Sequence, residues 1–280
     1  MSGYQVAVQM AVKKLLTVIA GVYLSLSFST SASADVQLSN GQVLSDSPMW
    51  IVTYIEVAYG SIEEAEQLLA DHAKLSREEE GNLYVEAVQR IGRQNHFAIM
   101  EAWAHPEARA RHAAQDHTIA HRHEIQPILY SPYDERVHVG LETIDPQSIA
   151  AGDSETVYVL THLDFSPPEQ FAPCNRRPDP NGPCGNDLVS GIAKDSRSHD
   201  GNMRFDVLTQ TNRLNHMTVV EMWSDLASFE AHQIHPQKKD FRDAITGIEE
   251  GSGVHPDPQF TMTRLIGALW DERLYRLIDD

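Results

Sequence analysis

Two cysteines, Cys174 and Cys184, are all that this chain of 280 residues contains, and they stand ten apart in a Pro/Gly-rich stretch. A pair of thiols without a second pair is weak zinc chemistry. In an oxidising compartment the same spacing reads as one disulfide closing a loop. Basic residues are also in short supply, with 22 Lys and Arg against 40 Asp and Glu and a formal charge of −18. Such acidity excludes a nucleic-acid partner, which would need cations to neutralise phosphates. It favours a small partner that is neutral or apolar. Long apolar runs are missing too: the stretch Leu15 to Phe28 is shorter than the roughly 20 residues a bilayer-spanning helix requires.

What that stretch does have is the order of an export signal. Lys13 and Lys14 precede it, and the small residues Ala32, Ser33 and Ala34 follow it, just before Asp35. Positive, apolar and small segments in that order are what a signal peptidase reads. The expectation is therefore a leader at 1–34 with cleavage after Ala34, a start at Met1 or Met10, and a periplasmic or secreted product with no membrane attachment. A retained anchor is the alternative.

The remaining residues contain an internal repeat. Shifted by 120 positions, residues 73–112 meet 193–232 with twelve identities in forty and no gap. The matches include Ser76-Arg77 with Ser196-Arg197, Gly81-Asn82 with Gly201-Asn202, and Asn95-His96 with Asn215-His216. Glu101, Trp103 and His112 likewise meet Glu221, Trp223 and His232. A stretch near Val52 to Val57 resembles Leu160 to Phe165 at an offset of 108, so copy two carries twelve extra residues, and both cysteines fall in that insertion. The expected organisation is a linker at 35–48, module 1 at 49–143, a linker at 144–156, and module 2 at 157–277.

Each copy parses alike. Met49 to Ala58 alternates and is rich in β-branched residues, the pattern of a strand. Ser61, with Glu64 three residues on, predicts a capping box and a helix. Gly81 ends that helix, and strands follow at Leu83 to Ile91 and His96 to Trp103 across a polar turn. Pro106 opens another helix, and a last strand spans Tyr133 to Leu141. This βαββ-α-β order is a ferredoxin-like α+β unit. One face of its sheet lacks cover, so the two modules should pack together as a pseudo-twofold barrel with the helices outside.

The segment Phe97 to Trp103 followed by His112 and His117, repeated as Met217 to Trp223 followed by His232 and His235, resembles the antibiotic-biosynthesis monooxygenase family, including its quinol monooxygenase-like members. The Ser-Arg…Gly-Asn segments fit the same pattern. The resemblance covers residues 49–141 and 157–276. It implies a dimeric α+β barrel, here fused into one chain with further homo-oligomerisation left open. It also implies an apolar pocket between sheet and helices in each module, and oxidation of a quinol-like or polycyclic phenol by O2 with neither flavin nor metal. Other branches of the family degrade haem, and there the first strand carries an asparagine; Tyr54 and His162 occupy that position here.

Oxygenation without a cofactor requires a base that turns a phenol into a better electron donor, and histidine titrates in the useful range. His112 and His232 are the matched candidates, with His117 and Tyr54 as further catalytic candidates. Trp103 and Trp223 are candidate pocket walls, with His162 and His235 beside the substrate. Each also has a bland reading: a buried histidine holding a carbonyl, a core indole, a half-buried tyrosine, a solvated loop histidine at His235. Glu101 and Glu221 are expected to pair with arginine. His112, His117, His121 and His123 raise a rival metal reading, because His117 and His121 lie four apart on one helical face. The second copy keeps only His232 and His235, so no metal ligand is assigned. A non-catalytic binder of small aromatic molecules or haem is the remaining alternative.

Overall fold

The computed structural model describes residues 35–165, 184–246 and 271–278. The expected leader at 1–34 and the insertion bearing Cys174 lie outside them. Among the described residues no helix is long and apolar enough to cross a membrane.

Eight antiparallel strands close into one barrel. Module 1 supplies β1 (Met49–Glu56), β2 (Asn82–Arg90), β3 (His96–Trp103) and β4 (Asp134–Glu142). Module 2 supplies β5 (Val157–Asp164), β6 (Asn202–Gln210), β7 (Arg213–Trp223) and β8 (Asp271–Leu277). Around the barrel the order is β8-β2-β3-β1-β4-β6-β7-β5, returning to β8. The modules are therefore joined twice by backbone ladders, at β4–β6 (His138 opposite Gln210) and at β8–β2 (Tyr275 opposite Arg90). The expected barrel is present, and its closure leaves neither sheet with an open edge.

Strands β1 and β3 are apolar on both faces because both are covered. On β1, Trp50 and Val52 join the barrel interior, whereas Ile51 and Ile55 pack outward under the helices. On β3, Ala98, Met100 and Ala102 point inward, and Phe97 and Ile99 outward. The outer face of module 1 is covered by α1 (Ile62–Arg77), α2 (Pro106–Ala113) and α3 (Asp116–Ile125). That of module 2 is covered by α4 (Gly185–Ser196), α5 (Leu226–Gln233) and α6 (Pro236–Thr246). Ala65, Leu69 and Ala73 of α1 fill the first outer core, and Val189, Ile192, Phe241 and Ile245 the second.

The barrel interior also holds charge. Arg204 and Asp206 are buried there, with the guanidinium Nε donating to the carboxylate at 2.7 Å. Their repeat counterparts Tyr84 and Glu86 are bonded to one another, and the Arg204 guanidinium lies 4.7 Å from the Tyr84 ring centre. An ion pair this deep depends on its partners, because removing one leaves an uncompensated charge.

Three local expectations need correction. Ser61 stands at the N-cap of α1 but makes no side-chain cap bond, because Tyr59–Ser61 is already a 3-10 turn. The repeated asparagines do more than shape a turn: Asn95 donates to the Val57 carbonyl at 3.1 Å, and Asn215 to Phe165 at 3.1 Å. Each pins the residues that follow the first strand of its module. The helical turns after Pro106 resolve into two helices, which aim different side chains at one point.

Candidate functional site

That point lies on the outer face of the module 1 sheet, beneath α2 and α3. Glu101 and Trp103 are two apart on β3 and so share a face, and the indole donates to the Glu101 carboxylate at 2.7 Å. His112, in the last turn of α2, stacks on the indole with ring centres 4.4 Å apart. Gly81 makes this approach feasible. Its φ is +87°, and a Cβ there would lie 2.6 Å from Ala108 Cβ of α2, so only glycine fits. Gly201, at φ +77°, serves α5 in the same way.

Glu79 closes the cluster from the turn after α1. Its Oε1 lies 2.6 Å from His112 Nδ1 and 2.8 Å from His117 Nε2. The far nitrogen of His112, Nε2, is 3.6 Å from Glu101. Behind them His72 of α1 stacks on His121 of α3 at 4.2 Å. Burial, reinforced by the neighbouring imidazoles, lowers His72 to about 2. Burial, with Arg122 next, lowers His121 to about 4. Burial raises Glu101 above the usual carboxylate range, opposed by His112 and the Trp103 indole. Among the described residues no lysine or arginine comes within ion-pair distance of Glu79 or Glu101.

Module 2 repeats the frame and changes the contents. Trp223 donates to Glu221 at 2.9 Å and stacks on His232 at 4.5 Å. His199 stands where Glu79 does, and its Nδ1 faces His232 Nδ1 at 3.0 Å. Ile192 and Phe241 replace His72 and His121, and Gln237 replaces His117. Lys238 replaces Thr118, and its fully buried ammonium lies 3.7 Å from Glu221 and 3.1 Å from Glu272. Burial, then Lys238 and His199, drives His232 down to about 2.

The model of the antibiotic biosynthesis monooxygenase family matches residues 48–124 and 186–244, one segment in each module. The chain is a tandem member of the antibiotic biosynthesis monooxygenase family. Its fold resembles that of a Fusobacterium nucleatum protein provisionally assigned as a monooxygenase, with a TM-score of 0.64 and 15% identity over 83% of this chain and 93% of the other. A Lactobacillus acidophilus protein with the same provisional assignment gives 0.57 and 12%, covering 83% of this chain and 95% of its own. An anthrone oxidase-like protein gives 0.54 and 14%, covering 84% and 92%. No curated protein matches. Membership of this family supports a general monooxygenase role; the likenesses in structure speak for the fold.

Within this family member the predicted site residues fall into three groups. Trp103, His112 and His117 converge in module 1. Trp223, His232 and His235 converge in module 2, where the His235 ring lies tilted 3.9 Å from that of His199, a half-buried loop residue rather than a solvated one. Tyr54 and His162 lie apart from both. They point into the barrel, 5.0 Å from one another, and Arg136 donates to His162 Nδ1 at 2.8 Å. Tyr54 therefore shares no pocket with His112, since a sheet separates them. His123 is exposed and away from the cluster. Glu101 and Glu221 pair with no arginine but with indole, imidazole and lysine. In module 1 the imidazoles and carboxylates sit beneath α2 and α3, beside the apolar core that α1 covers. The disulfide expectation involves Cys174, which lies outside the described residues.

Cavities open elsewhere. A cleft of about 1240 Å³ at the barrel mouth is lined by Arg136, Arg273, Arg213, Asp134, Asp271 and His162 among others. Tyr54 borders a second, of about 520 Å³. The first is a charged cleft.

Proposed function

We propose that this protein is an exported monooxygenase that oxidises a quinol-like or polycyclic phenolic small molecule with O2, and that module 1 carries the chemistry. The observation behind this reading is the Glu79–His112–Glu101–Trp103 arrangement and its alteration in module 2. A carboxylate that holds one imidazole nitrogen fixes the tautomer and leaves the other nitrogen as the base. Glu79 holds Nδ1 of His112, so Nε2, on the side of Glu101 and Trp103, accepts the phenolic proton. The resulting phenolate is the electron donor to O2, and the indole, stacked on His112, holds the imidazole in place. His117 and Glu79 are the least buried members of the cluster, with side chains 21% and 12% exposed, and they mark its approach from solvent. In module 2 the base is disabled: Lys238 sits against Glu221, and a cation there disfavours protonation of His232.

Oxygen uptake by the purified, metal-free protein against hydroquinones and anthrones tests the reading. His112→Ala should cut turnover by about 10²–10⁴-fold in protein that remains folded, while His232→Ala should retain most activity. Equal activity in His112→Ala and wild type would refute it. A second reading, a binder without chemistry, rests on the barrel-mouth cleft and the Tyr54–His162 pair. Retained ligand binding with no oxygen uptake on any substrate would favour it.

A further inference from the structure

The two modules balance their buried carboxylates differently. In module 2 the carboxylate of Glu221 faces Nζ of Lys238, whose side chain is 0% exposed. In module 1 the equivalent Glu101 faces the Trp103 indole and His112, and the added Glu79 faces His112 and His117. A buried carboxylate without a cation is costly, and module 1 has Glu101 in that position, with the half-buried Glu79 on the other nitrogen of the same histidine. It also places His72 and His121 where its copy packs Ile192 and Phe241 in the apolar core. His72 and His121 thus stand where the copy shows that apolar residues suffice, and Glu79 is a carboxylate that the copy lacks, so packing alone does not account for this set of metal-ligand side chains.

We propose that Glu79, His112 and His117 form a binding site for a divalent first-row transition-metal ion. The donor atoms of these three residues lie within 4.8 Å of one another. Glu79 Oε1 is already central, 2.6 Å from His112 Nδ1 and 2.8 Å from His117 Nε2. Metal–ligand bonds near 2.0–2.2 Å hold neighbouring donors roughly 3.0–3.4 Å apart, so the three need to open by only about half an ångström. Two imidazoles and one carboxylate suit iron, manganese, cobalt, nickel or zinc, in contrast to the all-oxygen preference of calcium and magnesium.

The surroundings fit a ligand set as well. Metal-binding histidines commonly donate their other ring N–H to a carboxylate, which fixes the ring. With Nδ1 of His112 on the ion, Nε2 carries the proton and faces Glu101 Oε2 at 3.6 Å. Glu101 is in turn held by the Trp103 indole. His72 is 5% exposed, and its Nδ1 makes no hydrogen bond among the described residues. A donor atom of His72 lies within 4.8 Å of donors on His112 and Glu101, a group that adjoins the proposed site through His112. Module 2 lacks the set, with Gln237 in place of His117 and Lys238 against its carboxylate.

This site does not depend on the proposed reaction, and it competes with it. A metal on Nδ1 keeps Nε2 protonated and so removes the base.

The test is a titration of the full exported chain, stripped with a chelator, with Co2+ as the probe. Visible d–d absorption and calorimetry should both report one ion per chain. Glu79→Gln and His117→Ala should each weaken binding by at least about a hundredfold, since changes even to outer-shell partners cost 10–100-fold. His235→Ala, the control in module 2, should bind as wild type. Because His117 is half-buried and apart from the main core, His117→Ala keeps the test open if Glu79→Gln does not fold. No saturable Co2+ binding, or binding unchanged in both variants, would overturn the site. Neither readout involves substrate, so failure here leaves the oxidation reading standing, and the reverse also holds.

Discussion

His138 offers a sharp test of how the barrel interior responds to acid. It lies on β4 with 0% exposure, and its Nε2 is 3.1 Å from Thr218 Oγ1 on β7. Burial is the main cause of its depression to about 3, opposed by a backbone hydrogen bond, with Arg136 and His162 adding to the depression and Asp134 resisting it. A histidine in the unfolded chain titrates near 6.5. The folded value is the lower one, so the unfolded chain binds the extra proton between the two. Stability from this residue is thus complete above about pH 6.5 and is lost as pH falls toward 3, by about 1.4 kcal/mol per unit. Between pH 7 and pH 5 the loss from His138 alone is about 2 kcal/mol. His138→Gln keeps a polar group near Thr218 and removes the titration. At pH 7 the variant should be less stable than wild type by about 1–2 kcal/mol, for an imperfectly replaced buried side chain. At pH 5 that gap should close, because wild type has lost what the variant never had. Urea midpoints at pH 5, 6, 7 and 8 measure it. Parallel stability curves for the two proteins across this range would refute the reasoning.

Further outcomes can be checked alongside. Lys238→Met should lower stability by about 3–5 kcal/mol in urea unfolding, because it takes the buried cation from Glu221, whereas Glu272 keeps Arg242. Gly81→Ala should cost clearly more than Gly92→Ala: both have positive φ, but only the first would drive a Cβ into α2, while the second meets nothing within 4 Å. Thermal midpoints of the two variants decide this, with Gly92→Ala expected at about 1 kcal/mol. Intact mass of the exported protein should begin at Asp35 and be two hydrogens light for a Cys174–Cys184 bridge; a product retaining Lys13 and Lys14, or two reactive thiols, contradicts those expectations.

The repeat made the frame of the site readable from sequence, since Gly81, Glu101, Trp103 and His112 are all identical in the second copy. These residues set geometry, and geometry is what the copies share. Glu79, His72 and Lys238 escaped the same search because each differs from its counterpart, and difference is invisible to a comparison that counts identities. Alignment did contain the signal, in Glu79 set against His199 and Thr118 against Lys238 within otherwise matched segments. The wrong grouping of Tyr54 with His112 has another cause. Strand alternation separates Tyr54 from Ile55 but does not say which face meets the helices, and β1 and β3 are apolar on both. Only the ladder that sets Tyr54 opposite Ala98, rather than beside Glu101, resolves it.

Duplication within one chain explains why such divergence is tolerated. In a dimer of identical subunits every substitution appears in both sites, so a lysine that silences one silences the other. Here β4 and β8 lock the modules into one barrel, and each depends on the other for closure whatever its own site contains. Module 2 can therefore trade reactive groups for packing, with Ile192, Phe241 and the Lys238–Glu221 pair filling its outer core. Module 1 keeps four imidazoles and two carboxylates in the same volume, at a cost in desolvation that its partner helps to carry. If this division holds, exchanging Lys238 for threonine together with His199 for glutamate should move module 2 toward the character of module 1. The measurable sign is a second, weaker Co2+ equivalent per chain, held by residues 199 and 232. A single equivalent in the double variant, with the fold intact, would mean that His117 and His72 contribute more to the site than Glu79 does.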